Sequence, residues 1–288
     1  MAERRYYRVG GQVFSVTAEE SLFELMNNYQ PFACDPCGTI FDVVESEVPI
    51  PDKKTHVYTD SSDIDMPRIE IYRVREKWLF LMSRTKESDI CLHIEVSADM
   101  REVRMQSLDT DRRFGIDNTC MLLYAFTTAP LHTLLMHAAV IERQGKGVLF
   151  LGHSGTGKST HARMWLQAFD DASLLNDDNP VLRITDSGEI RVYGSPWSGK
   201  TACYINRDVP VAGIVQLVQA PANRIQPLRL PEAYAAMLSS CSGMKFLSSM
   251  MDALYTTLST IIQTIRVYRL ECLPDTDAAI VCARQINS

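Results

Sequence analysis

The chain has 288 residues, enough to bury a large core, and its pattern favours two domains of ordinary size over one. Hydrophobic residues make up 46% and charged residues 22%, with a net charge of −6 and no long charge run. That is the balance of a soluble globular protein, and it argues against a general nucleic-acid role, because a polyanion partner calls for a basic face. The opening MAERRYYRVGGQ lacks the apolar core of a signal peptide, and no stretch reaches about 18 uninterrupted apolar residues, so a cytoplasmic chain with no membrane partner is expected. The eight cysteines are scattered at 34, 37, 91, 120, 203, 241, 272 and 282, which suits reduced, mostly buried thiols. The C-x-x-C of Cys34 and Cys37 has no second pair, and PFACDPCGT reads as a loop.

Residues 1–112 read as a mainly β module with one helix. After the strand QVFSV, Thr17 to Glu20 has capping-box spacing, and Leu22, Phe23, Leu25, Met26 and Tyr29 fall on one helical face before Pro31. Strands are expected at IFDVV, RIEIYRV, WLFLM, CLHIEV and EVRMQ, with Pro49 to Pro67 as a connecting loop. A helix capped by Asp117 or Asn118 opens the second part, residues 113–288.

There MHAAVIER and GVLFLG, separated by Gln144 to Lys146, have the form of a hairpin. It delivers the chain into VLFLGHSGTGKST, where Gly152, Gly157, Lys158 and Ser159 stand at the spacing of a phosphate-binding loop between a strand and a helix. A phosphate tail packs several negative charges into a small volume. It needs donors at close range, which glycines permit, and a cation reaching between phosphates. The residues from Gly152 through His153, Ser154, Gly155, Thr156, Gly157, Lys158 and Ser159 to Thr160 are therefore the candidate nucleotide site. Lys158 is placed on the β and γ phosphates and Ser159 on Mg²⁺.

The helix HARMWLQAF leads to a short strand, SLLN, ending in Asp177 and Asp178. A strand, loop, helix and second strand form a βαβ-like unit that sets the second strand's tail at the sheet edge holding the loop. Two adjacent carboxylates there can divide labour, one on Mg²⁺ and the other accepting the proton of an attacking hydroxyl. Next come the hairpin VLRITDSGEIRVY and the loop Gly194 to Thr201, in which Lys200 could stabilise charge on a transferred phosphoryl group. After the strand AGIVQLVQ, Arg224 is a further candidate for the phosphates. A helix opening at Pro231, a stripe from Phe246 to Ile265, the strand RVYRLEC and the helix DTDAAIVCARQI complete the chain. The stripe reads as core or as a subunit contact in a homo-oligomer.

Together, MHAAVIERQGKGVLFLGHSGTGKST and LLNDDNP resemble the catalytic domain of HPr serine kinase/phosphorylase, in the group that shares its phosphate-loop fold with phosphoenolpyruvate carboxykinases. The resemblance spans about Met136 to Val181 and weakens toward residue 230. It implies an α/β fold of α+β character: an HPr-kinase/PEP-carboxykinase-like P-loop domain behind an N-terminal mainly-β module. It also implies a kinase using ATP and Mg²⁺ to phosphorylate a hydroxyl acceptor, such as a serine of a protein or peptide or a small molecule. Asp177 matches the catalytic acid/base, Asp178 its metal-associated neighbour, and His137 the histidine on the strand before the loop. The chain departs from those bifunctional kinases in having Thr160 where they carry Glu, and their acidic phosphorylase loop is not recognisable. The alternative expectation is a nucleotide-gated binding module that transfers no phosphoryl group.

Overall fold

The structure, a computed structural model, describes residues 1–60, 67–199, 201–243 and 247–286. It is a mixed α/β architecture with two large mixed sheets. Two compact units divide the chain, Met1–Thr127 and Thr128–Ser288. The division falls between Thr127 and Thr128, at the C-terminal end of the helix Arg112–Thr128, whereas the sequence suggests residue 112. Among the described residues, no helix is long and apolar enough to cross a membrane.

In the first unit, β1 (Glu3–Val9) and β2 (Gln12–Ala18) form a hairpin, because Gly10 and Gly11 both adopt positive φ, the two-residue turn that suits twisted antiparallel strands. After α1 (Glu20–Phe23) come β3 (Ala33–Cys34), β4 (Asp42–Glu45), β5 (Thr55–Asp60), β6 (Arg68–Val74), β7 (Lys77–Ser83), β8 (Ile90–Val96), β9 (Glu102–Ser107) and α2 (Arg112–Thr128). The sheet order is β3-β1-β2-β4-β9-β8-β7-β6-β5.

Three expectations need correction here. The helix expected to be capped by Asp117 or Asn118 begins at Arg112, so both residues lie inside it, and Asn118 donates back to the Phe114 carbonyl. The helix after Thr17 is a single turn followed by a 3-10 turn at Asn27–Phe32 that contains Pro31, and Glu19, not Thr17, holds the cap position. Leu22, Phe23, Met26 and Tyr29 are nonetheless buried, so the apolar face was right and its regularity was not. The stretch Pro49 to Pro67 also contains strand β5, which is almost wholly exposed and held by backbone pairing with β6. Residues 61–66 lie outside the described residues.

The second unit runs β10 (Thr133–Leu135), β11 (Ala138–Arg143), β12 (Lys146–Leu151), α3 (Lys158–Ala168), β13 (Ala172–Asp178), β14 (Val181–Ile184), β15 (Ile190–Tyr193), β16 (Asp208–Gln219), β17 (Arg224–Pro227), α4 (Leu230–Ser239), α5 (Ser248–Thr264), β18 (Val267–Cys272) and α6 (Thr276–Ile286). Phe246, assigned to the α5 stripe, lies outside the described residues. β16 begins antiparallel to β15 and continues in parallel pairing with β12 and β18. Its central strands are covered on both faces, which is why GVLFL and AGIVQL read as near-continuous apolar runs. One face packs Val140, Leu149 and Leu151 against Met237, Leu254 and Leu258. The other packs Ile141, Phe150 and Val215 against Ala162 and Trp165 of α3 and Ala279 and Cys282 of α6.

The register of β11 positions everything that follows. β11 is antiparallel to both β12 and β13, and Ala138 stands opposite Leu151 on one side and Asp178 on the other. β12 and β13 are therefore parallel, joined by α3 across the intervening strand, and their C-terminal ends meet the start of β11 at one sheet edge.

Candidate functional site

At that edge the chain leaves β12 at Leu151 and turns through Gly152–Gly157 into α3. Gly155 and Gly157 have φ of 78° and 104°, conformations that side chains strain to adopt. Gly152 is needed for a different reason: a Cβ there would sit 3.0 Å from Thr156. Both the backbone N–H and the hydroxyl of Thr156 donate to the carbonyl of His153, at 3.2 and 2.8 Å, which closes the loop on itself. No side chain caps the N-terminus of α3. Its first-turn N–H groups and the positive end of its dipole are thus left without a side-chain cap, the arrangement an anion can use.

Lys158 Nζ donates to the carbonyls of Gly152 (2.9 Å) and His153 (3.3 Å). Burial pushes its ammonium group below the usual lysine range, and the carboxylates of Asp178 and Asp177 oppose that shift. Asp178 carries the complementary perturbation: burial raises its carboxyl, while His137 and Lys158 pull it down. His137 Nε2 lies 3.9 Å from Asp178 Oδ1. Burial and then Lys158 lower the His137 imidazole, and Asp178 raises it. Lys158, Asp178 and His137 therefore form one electrostatic cluster. Ser159 is exposed, and Thr160 accepts from Arg163 at 3.4 Å.

Asp177 and Asp178 are consecutive on β13, so their side chains leave opposite faces of the pleat, yet both act on Lys158. Asp178 accepts a 2.8 Å bond from the side-chain amide of Asn179. Asp177 is only 4% exposed, and its Oδ2 is buried without a hydrogen-bond partner among the described residues. The loop after β15 packs against this pair: Gly199 N–H donates to the Asp177 carbonyl at 2.9 Å, and Ser198 bridges to Asp178. Lys200, the candidate cation of that loop, lies outside the described residues. Arg224 is not brought to the loop. It is exposed on β17 opposite Glu271, three strands from β12, a lateral separation of about 14 Å.

Three residues that the sequence did not single out support the site. Gln219, at the end of β16, directs its amide to the carbonyls of Gly155 and Thr156, each at 3.4 Å. Asn179 holds Asp178, and the buried Ser195 hydroxyl donates to the Asn179 carbonyl at 2.6 Å. The asparagines of NDDNP were visible as the flanks of the aspartates, whereas Gln219 reaches the loop only through the β12–β16 pairing.

Two clefts flank the loop. One, of about 420 Å³, is lined by Gly152 to Thr156, the end of β16, Ala236, Ser239 and Ser240. The other, of about 580 Å³, lies between the first turn of α3 and the residues that end β16 and follow β18. His161, in its wall, is 3% exposed, accepts from Trp165 Nε1 at 3.1 Å and packs edge-on against Phe150. Burial pushes its imidazole down to about 4. Its folded pKa lies below the unfolded value, so its stabilising contribution is complete above about pH 6.5 and is lost as pH falls toward 4, by ~3 kcal/mol. A His161→Phe chain is expected to lose this increment of acid sensitivity, read as the difference between the two chains' unfolding free energies from pH 4 to 7.

Among solved structures, the HPr(Ser) kinase/phosphatase from Coxiella burnetii is similar to this chain at 14% identity, covering 53% of this chain and 97% of that one. Its TM-score of 0.32 is too low to carry an argument about fold or activity. No curated protein matches the chain. Residues 102–273, more than half of the chain, match the family described as SynChlorMet cassette protein ScmC, and the chain belongs to that family.

Proposed function

We propose that the chain is an ATP- and Mg²⁺-dependent phosphotransferase that moves the γ-phosphoryl group to a hydroxyl, with a serine of a protein or peptide as the acceptor class. The observation that carries this reading is the register row in which Ala138 stands between Leu151 and Asp178. It sets the start of a phosphate-type loop, His137 and the paired aspartates at one edge, with Lys158 under the influence of both carboxylates.

The chemistry asked of such a site is positioning and charge neutralisation more than covalent work. The loop amides and Lys158 hold the phosphates. Mg²⁺ is usually held by one or two carboxylates together with substrate phosphates, not by a closed protein cage, and the Ser159 hydroxyl and the Asp178 carboxylate are the residues that would hold it here. Held there, the ion would supply charge neutralisation for the phosphates. The buried Oδ2 of Asp177, without a hydrogen-bond partner among the described residues, is the oxygen left to orient the acceptor hydroxyl and take its proton. His137 Nε2 stands 3.9 Å from Asp178 Oδ1, beside the carboxylate that would meet the ion.

The test is γ-labelled ATP incubated with the full chain, Mg²⁺ and serine-containing peptides, beside a measurement of ATP affinity. Label appearing on a hydroxyl acceptor, dependent on Mg²⁺, is the expected result. Tight ATP binding with no transfer to any acceptor would replace this reading with a nucleotide-gated binding module.

A further inference from the structure

A nucleotide lying along Gly152 to Thr160 has a direction. Lys158 and the two aspartates mark the end where the outer phosphates sit, so the nucleoside must leave from the other end, past the first turn of α3. The two clefts beside the loop differ in how they relate to those ends. The smaller includes Ser240, whose carbonyl accepts the His137 N–H at 2.6 Å, so it shares a wall with the acidic end. Neither cleft is lined by Lys158, His137, Asp177 or Asp178, but only the larger is lined by Gly157, Thr160 and His161, at the start of α3.

The larger cleft also has the chemistry of a base site. Leu217, Ala220, Leu273 and Pro274 give it an apolar wall. Leu273 is 38% exposed, an apolar side chain left at the rim of a cavity. His161 accepts at Nε2 from Trp165, so its ring proton resides on Nδ1, which adds a neutral donor to the wall. Flat aromatic bases are held by apolar surface with a few placed polar groups.

We propose that this cleft is the nucleoside subsite, taking the base of the bound nucleotide against Leu217, Ala220, Leu273 and Pro274, with His161 as a hydrogen-bond donor. The proposal rests on the reading that the phosphates occupy the loop. The opposite cleft is then left free for the acceptor.

Calorimetric titration of the full chain with ATP and with inorganic tripolyphosphate, both with Mg²⁺, separates the two layers. The unmodified chain should bind ATP more tightly than tripolyphosphate. Ala220→Trp, filling the cleft, should weaken ATP by about tenfold or more and change tripolyphosphate by less than about twofold. Leu273→Ala, a rim change that spares the fold, should weaken ATP selectively in the same direction. Ser239→Trp, in the opposite cleft, should leave ATP affinity unchanged. If ATP binds no more tightly than tripolyphosphate, or if Ser239→Trp and not Ala220→Trp weakens it, the nucleoside subsite is wrong while the phosphate loop stands. If neither compound binds, both layers fall.

Discussion

An Asp177→Asn chain is expected to bind ATP within about threefold of the unmodified chain while transferring phosphoryl groups about a thousandfold more slowly, the loss typical of removing a positioned general base. The asymmetry follows from what Asp177 touches. Its backbone carbonyl accepts from Gly199, a bond that the substitution retains, and its Oδ2 has no partner among the described residues. An amide fills the same volume without charge. Because a buried, unpaired carboxylate oxygen carries a desolvation cost of about 1–3 kcal/mol, the variant should unfold at a temperature equal to or higher than the unmodified chain. The corresponding change at Asp178 should behave differently. Asp178 is bonded by Asn179 and lies beside His137 and Lys158, so Asp178→Asn removes charge from a paired cluster and should weaken Mg²⁺-dependent ATP binding. Unchanged turnover in Asp177→Asn would remove Asp177 from the chemistry.

The contrast between these neighbours bears on what could be read from the sequence. The loop was legible because its glycines answer to local backbone demands: Gly155 and Gly157 sit at positive φ, and a Cβ at Gly152 would crowd the Thr156 side chain. The strand CLHIEV was legible because a sheet residue's face alternates with position, which buries Leu92, Ile94 and Val96. Strand β1 was not expected, since ERRYYRV is rich in arginine, although the Gly10–Gly11 turn behind it was a hairpin signal. β5 was hidden for a related reason, being an exposed edge strand with no buried face to impose a pattern. Gln219 and Arg224 show the limit most clearly. They are five residues apart and equally polar, yet parallel pairing of β16 with β12 carries one to the loop while β17 carries the other three strands away. Nothing local distinguishes them, because which strand lies beside which is settled by long-range packing.

Lys158→Met keeps the aliphatic stem and removes the charge, and it is expected to reduce ATP affinity by at least about 100-fold, the loss of one or two charge-assisted contacts worth about 1.5–3 kcal/mol each. Two further readouts tie the effect to the cluster and not to general damage. Lys158 is the second cause, after burial, that depresses the His137 imidazole, so its removal should make the His137 resonance titrate at higher pH; Asp178, losing a cation that lowers it, should move further up. Stability should move the other way from function. Burial holds the Lys158 ammonium below its ordinary range, so its folded pKa is under its unfolded value, and at neutral pH the charged form costs stability that methionine does not. The unfolding midpoint should therefore be unchanged or higher, as for Asp177→Asn. A buried cation beside two carboxylates, where strands aligned by one register row end, offers charges that a charged ligand could complement. A sharp fall in the midpoint of Lys158→Met would instead make Lys158 a brace for the loop, through its bonds to Gly152 and His153, and would remove the main physical reason for placing a triphosphate there.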